Sequence, residues 1–455
     1  MSGAADWRIC LDFGTAYSKA AAAPVVDNLR ESFARLRPLA IGAIAGEDSP
    51  FMAPCVVFLE ENHVLFGAAA LERARARAEE GREALQSFKT ILGGRGALEG
   101  LSMRPSRHID PQGLFTRRDL TVAYLGWLQH LAARALVAEI PPRGESEIAW
   151  RYTRPAWAPV FARDAEALVA RLIDEGRMIA ELLGDALLAR AGIDHTVLAP
   201  ALAAAATATL TSKVEACVLE PVAAAALSMG PADAFTRDHS AWVVLDMGAG
   251  TTDLAAVAFT QGAAREIAQA RVGLSVAGDD IDRLIMEHVV LAARHLRSIP
   301  KKTMLWRKLL TQVRDTKAQL FTTGKTTLKV DGKPVTVQRS AIEHDRHFQQ
   351  IRHTIADAFA TSFAAAADSD AARAAGMVHV VVAGGGAGLK FIQEIAARGA
   401  VRGGPDVARM RRRVVRVGEE WQRAAAVTDI SEATLPQLAI ALGGAVAPAS
   451  LLTQQ

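Results

Sequence analysis

Two short stretches of this chain repeat one order of residues, and that repetition constrains the fold more than any other feature. The first runs from Ala241 through the apolar Val243, Val244 and Leu245 into Asp246, Met247, Gly248, Ala249, Gly250, Thr251, Thr252 and Asp253. The apolar run reads as a buried strand. Asp246 falls where that strand gives way to a turn. Gly248 and Gly250 strip the turn of side chains, so that backbone N–H groups can come close to a ligand. Two hydroxyls and a second carboxylate follow, a combination suited to a phosphate chain with a divalent cation. Near the N-terminus Ile9, Cys10 and Leu11 lead into Asp12, Phe13, Gly14, Thr15, Ala16, Tyr17, Ser18 and Lys19. One Asp-x-Gly turn is an ordinary hairpin signal. Two of them, one opening each half of the chain, predict a duplicated α/β fold with a cleft between the halves.

A chain of 455 residues, 50% hydrophobic and 22% charged, has enough apolar surface for two such lobes. The formal net charge of +3 makes no case for nucleic acid or a membrane surface. Cys10, Cys55 and Cys217 lie in apolar runs without disulfide or metal-site spacing, so a reducing cytoplasm is expected. Asp6 and Arg8 interrupt the N-terminal segment before a signal-peptide core can form. No stretch of about 18 residues is apolar enough to span a bilayer.

Along the chain, strands are expected at 51–59, 64–67, 148–153, 214–219, 267–272 and 378–383. Helices are expected at 68–86, 116–139, 159–191 with a break near Gly176 or Gly184, 222–229, from after Asp282 to 296, 305–320, 342–367, 389–397 and 435–448. Pro141 and Pro142 end the second helix, and Asp331 and Gly332 form the turn of a hairpin over 321–340. Glu220 and Pro221 stand at a strand-to-helix junction, where Pro suits the first helical turn. Gly384, Gly385, Gly386 and Gly388 follow the apolar strand Val378–Ala383 and precede a helix, a nucleotide-type turn.

Ile9–Lys19, Glu220–Pro221, Leu245–Asp253, Gly278–Asp282 and Gly384–Gly388 stand in the order found in the actin, hexokinase and heat-shock ATPase superfamily. The chain most resembles the nucleotide-binding domain of the heat-shock protein 70 (DnaK-like) chaperones. The resemblance implies an actin-like ATPase fold, with two duplicated RNase H-like lobes flanking a nucleotide cleft. Residues 1–238 would form lobe I, with 430–455 returning to it, and 239–429 lobe II, with no separate substrate-binding domain. It also implies site residues. Asp12 and Asp246 would hold Mg2+, largely through water. Gly14, Thr15, Gly248, Gly250, Thr251 and Thr252 would cradle the phosphates of ATP or ADP. Lys89 matches the family's catalytic lysine, and Glu220, Thr251 and Asp253 would orient the attacking water. Gly384, Gly385 and Gly386 would pack under the adenosine, and Lys317 lies on the helix that contacts the adenine. The chain departs from the family pattern at Ala16, Ala249, Ala318 and the run Gly386, Ala387 and Gly388.

Other motifs have plainer readings. Thr323, Gly324, Lys325 and Thr326 look like the end of a P-loop but lack its leading glycine, since Gln319 stands there, so a hairpin is expected. His344, His347 and His353 lack metal-ligand spacing. The basic run 409–416 reads as a solvated edge or a protein contact. The expected function is an Hsp70-like ATP-binding protein, a slow Mg2+-dependent ATPase acting as a nucleotide-driven switch on a protein partner or co-chaperone in trans. The alternatives are an actin-like filament-forming ATPase and a nucleotide-binding regulator without turnover.

Overall fold

The computed structural model describes residues 6–447, except 47–48, 93–95, 141–147, 156, 158, 234–238, 261–262, 294–303, 331–332, 426 and 428–429. The expected Pro141–Pro142 helix stop and the Asp331–Gly332 turn lie outside the described residues. Two mixed sheets organise the rest. In the first the order is Val214–Leu219, Ile148–Arg154, Trp7–Asp12, Tyr17–Pro24 and Arg37–Pro38. In the second it is Ala263–Glu266, Thr252–Thr260, His239–Met247, Met377–Ala383 and Arg411–Val415.

The two sheets share a plan. Trp7–Asp12 turns back antiparallel onto Tyr17–Pro24 and runs parallel to Ile148–Arg154. His239–Met247 turns back antiparallel onto Thr252–Thr260 and runs parallel to Met377–Ala383. A further parallel strand follows in each, Val214–Leu219 in the first and Arg411–Val415 in the second. Parallel pairing requires crossover connections. The helix Pro159–Leu183 lies in the first crossover and Lys390–Arg398 in the second. The fold is therefore a mixed α/β architecture of the actin-like ATPase kind, with Asp12 ending the inner strand of its hairpin and Asp246 standing one residue before the end of its own.

Two helices lie between the sheets. Glu220–Asp233 and Leu435–Val446 pack on each other and share one apolar core with Cys10, Ala21 and Ala23 of the first sheet and Trp242, Val244 and Val381 of the second. Their approach depends on glycine. A Cβ on Gly443 would stand 1.8 Å from the Ala223 carbonyl oxygen, and one on Gly444 would stand 2.4 Å from Cys10 Sγ. Arg151 and Arg8 donate to the closing carbonyls of the same helix: Arg151 Nη1 reaches Ala447 O at 2.6 Å, and Arg8 Nη1 reaches Ala445 O at 3.4 Å. These groups satisfy carbonyls that the helix end leaves without intrahelical partners. Phe33 of the helix Leu29–Arg35 and Trp421 of the helix Glu419–Ala425 join the same core. Arg117–Glu139 begins with a capping box from Thr116 and Asp119.

Several expected elements are cut differently. The helix from residue 67 stops at Ala76; a short 3-10 turn and the strand Leu85–Gln86 replace its second half. The segment 267–272 is not a strand: it holds a 3-10 turn at Ala268–Ala270, and the strand begins at Val272. Pro159–Leu183 runs through Gly176, which packs against Gly126, and the break falls at Gly184, where φ is +49°. The helix expected over 342–367 is two, Arg339–Glu343 and Arg346–Ala367, because Asp345 caps the second. The P-loop-like Gly324 and Lys325 lie where a helix passes into the hairpin of Lys325–Val330 and Lys333–Gln338.

Candidate functional site

The hairpin ends and the inter-sheet helices enclose a cavity of about 340 Å3. From the first lobe it is lined by Asp12, Gly14, Thr15, Lys19 and Lys89, with Glu220 at the start of its central helix. The second lobe adds Asp246, Gly248, Thr251, Lys317, Gly384, Gly385 and Gly386. All of these but Lys19 are predicted site residues, gathered from both halves of the chain. Gly250, Thr252 and Asp253 do not line the cavity. Gly250 faces the other lobe, where a Cβ would meet Thr15 Cγ2 at 2.9 Å and Thr90 Cγ2 at 3.2 Å. Thr252 is fully buried and its hydroxyl donates to Val276 O at 2.7 Å. Asp253 is buried opposite Asp246 in the hairpin register.

Three lysines meet three carboxylates here. Lys89 Nζ lies 2.6 Å from Glu220 Oε1, Lys19 Nζ 2.9 Å from Asp12 Oδ2, and Lys317 Nζ 3.0 Å from Asp282 Oδ1. Burial pulls the Lys89 ammonium toward neutrality, but the charges of Glu220 and Asp12 outweigh it, so its pKa is raised and it stays charged. Burial raises the Glu220 carboxyl, and Lys89 opposes that shift.

Asp246 is different. Burial first, then the charges of Glu220, Asp253 and Asp12, push its carboxyl well above the usual carboxylate range. Its Oδ1 is buried and has no hydrogen-bond partner among the described residues. A buried acceptor without a donor is costly. A divalent cation satisfies such an oxygen and reverses the local repulsion. Among the described residues no group of three or more His, Cys, Asp or Glu encloses a metal by itself. The residues therefore fit a cation completed by water and phosphate, beside Asp246 and Asp12.

Local backbone geometry holds these groups in place. Ser87 has φ +54°, the sole non-glycine residue in the left-handed region among the described residues, and it leads into the 3-10 turn Phe88–Ile91 that carries Lys89. Phe13 and Phe88 pack with ring centroids 5.5 Å apart beside Asp12 and Lys89. The Gly248–Thr251 turn is stitched to the helix Gly278–Ala292: Gly278 N donates to Gly248 O at 3.1 Å and Asp279 N to Ala249 O at 2.7 Å. The glycine run does two jobs. Gly384 has φ +80°, and a Cβ there would stand 2.3 Å from Asp246 Oδ1. Gly386 N donates to Met247 O at 2.8 Å. Gly385 alone of the three faces open space, with Gln437 Oε1 at 4.0 Å as the nearest atom to a built Cβ.

Sequence reasoning missed Lys19, Asp282 and Gln437 as lining residues. A signal for Lys19 existed, because it is the one charged residue of the strand Tyr17–Pro24 and stands where hairpin register sets it opposite Asp12. Gln437 had none, since its element is distant in sequence.

Residues 203–398 match the family described as Hsp70 protein. Over that stretch the chain is similar to Hsp70 proteins. The match covers the Glu220 junction, the Asp246 turn, the Gly278–Asp282 helix start and the glycine run, and it agrees with a nucleotide-binding domain of the actin, hexokinase and Hsp70 superfamily. A search of curated proteins finds no match to the chain. No helix among the described residues is long and apolar enough to cross a membrane.

Proposed function

We propose that this Hsp70-like protein binds ATP and ADP with Mg2+ in the cleft, hydrolyses ATP slowly, and uses the γ-phosphate to hold its lobes together. Hsp70-family domains bind ATP or ADP together with Mg2+, which supports the reading. The observation that carries it is the buried Lys89–Glu220 pair beside the unsatisfied Asp246 oxygen. A positive charge held in place and an orphaned carboxylate suit a triphosphate with its cation.

In this reading Asp246 and Asp12 hold the cation, which neutralises phosphate charge. Lys89, kept protonated, stabilises the γ-phosphate as charge develops on its oxygens. Glu220 and Thr251 orient one water in line with the phosphorus, and Asp253, buried off the cavity opposite Asp246, acts on it through its charge. Thr15, Gly14, Gly248, Gly250 and Thr252 shape the two phosphate turns, Thr252 by fixing the strand through Val276 rather than by contact. Such catalysis rests on positioning and preorganised charge. Phosphate turns from both lobes would meet on one ligand, so loss of the γ-phosphate would loosen the cleft. A separate protein that distinguishes the two states would read the switch.

A second reading, a nucleotide binder without turnover, is favoured by Lys19, whose ammonium engages Asp12 Oδ2 at the place a cation would use. Melting curves with ATP, ADP and Mg2+, followed by single-turnover phosphate release, separate the readings. A shift by nucleotide without phosphate release supports the regulator; no shift by any nucleotide removes both.

A further inference from the structure

Beyond Gly384 and Gly385 the cavity opens into a second chamber of about 750 Å3, more than twice the first. The two share Ala318, Gly384, Gly385, Leu389 and Gln437 on their walls, so a ligand seated on the phosphate turns extends into the second. That chamber is the place for the base.

Its walls combine apolar side chains, Phe321, Val382, Val414 and Leu435 among them, with Thr322, Gln393, Arg416, Glu432 and Gln437. A Cβ built on Gly388 meets nothing within 4 Å. Each of the polar side chains on the wall is engaged by a contact within the protein. Thr322 Oγ1 donates to Ala318 O at 2.8 Å, Gln393 Nε2 to Ala387 O at 2.6 Å, and Gln437 Nε2 to Ala433 O at 3.2 Å. Arg416 is paired with Glu432. A site that reads a ligand through hydrogen bonds rejects an analogue lacking them by factors of about 10⁴–10⁵, whereas apolar contact discriminates by only about 10–200-fold. This chamber is of the second kind, and it is much larger than a nucleobase.

We infer that the site recognises nucleotides through their phosphates with little regard to the base, and that it accepts a base enlarged by an apolar substituent. This rests on the nucleotide reading above. Titration calorimetry of the full chain with the Mg2+ complexes of ATP, GTP, CTP and N6-benzyl-ATP tests it. The three natural nucleotides should bind within about tenfold of one another, and N6-benzyl-ATP at least as tightly as ATP, a spread at the lower end of apolar discrimination. Gly388→Trp, and independently Val414→Phe from the edge strand, should weaken N6-benzyl-ATP by at least about tenfold relative to ATP, which the remaining space still admits. A preference for ATP over GTP and CTP beyond about a hundredfold, or exclusion of N6-benzyl-ATP while ATP binds, overturns the inference alone. Failure of every nucleotide to bind overturns the nucleotide reading and this inference with it.

Discussion

Lys89 and Glu220 lie 131 residues apart in the chain and meet at 2.6 Å, with side chains only 10% and 7% exposed. Neither charge is tolerable alone at that depth. Removing one partner of a buried pair costs about 3–5 kcal/mol, while replacing both with neutral groups is often close to neutral. Lys89→Met should therefore destabilise the nucleotide-free protein by about that amount, and Lys89→Met combined with Glu220→Gln should recover much of it. Urea unfolding of the two variants decides. A double variant no more stable than Lys89→Met contradicts the pairing.

The same two residues should separate binding from turnover. Groups that act in the transition state lower the rate without a matching loss of affinity. Glu220→Gln is expected to bind nucleotide within a few-fold of wild type and to release phosphate about 10²–10⁴ times more slowly. Asp12→Ala and Asp246→Ala should instead lose Mg2+-dependent affinity. Equal loss of binding in all of them would defeat this division of roles.

Asp246→Asn should stabilise the nucleotide-free protein while abolishing its metal-dependent binding. The folded carboxyl has a raised pKa, so between its unfolded and folded values the native state holds more protons than the unfolded chain. Stability then falls as pH rises through that window. The gain from Asn should be small below about pH 4, grow toward neutral pH, and reach roughly 1–3 kcal/mol. Thermal melts across pH read it; a gap that narrows toward neutral pH would contradict the burial argument.

Gly384→Ala should cost at least about 1–2 kcal/mol from the left-handed backbone alone, and more from contact with Asp246. Gly385→Ala, with open space around it, should change stability by no more than about 0.5 kcal/mol. Melting both variants tests whether the two glycines differ as their surroundings do.

Much of the site was legible because it is local. Asp12 and Asp246 stand at strand ends that apolar runs announce, and glycines mark the turns after them. Glu220 was legible as a junction because Pro221 follows it. What escaped was set by register or by distant packing. Thr252 was taken as a phosphate contact, but strand alternation turns it inward to Val276. Gly250 was taken the same way, yet it is spent on the approach of Thr15 and Thr90 across the cleft. The ion pair of Lys317 with Asp282 depends on a pairing that no single stretch shows. The early end of the helix at Ala76 shows strong helix formers overruled by the sheet strand at Leu85–Gln86, which pairs with Val56 and Val57.

Gly443→Ala should be among the most damaging small substitutions in the chain. Its Cβ would collide with the Ala223 carbonyl, and overpacking of this kind costs about 1–3 kcal/mol. Lower thermal stability with unchanged secondary-structure content is the expected result.

The crossing of those two helices also sets an order of events for the nascent chain. Arg8 and Ala445, whose contact spans 437 positions, join the first strand to the helix Leu435–Val446. Until that helix is made, Cys10, Ala21 and Ala23 on the first sheet have no cover from it, and neither do Trp242 and Val381 on the second. Contacts so remote in sequence close slowly, and partly assembled sheets are prone to aggregate. A protein built this way waits on the arrival of its late helix, with apolar surface open in the interval.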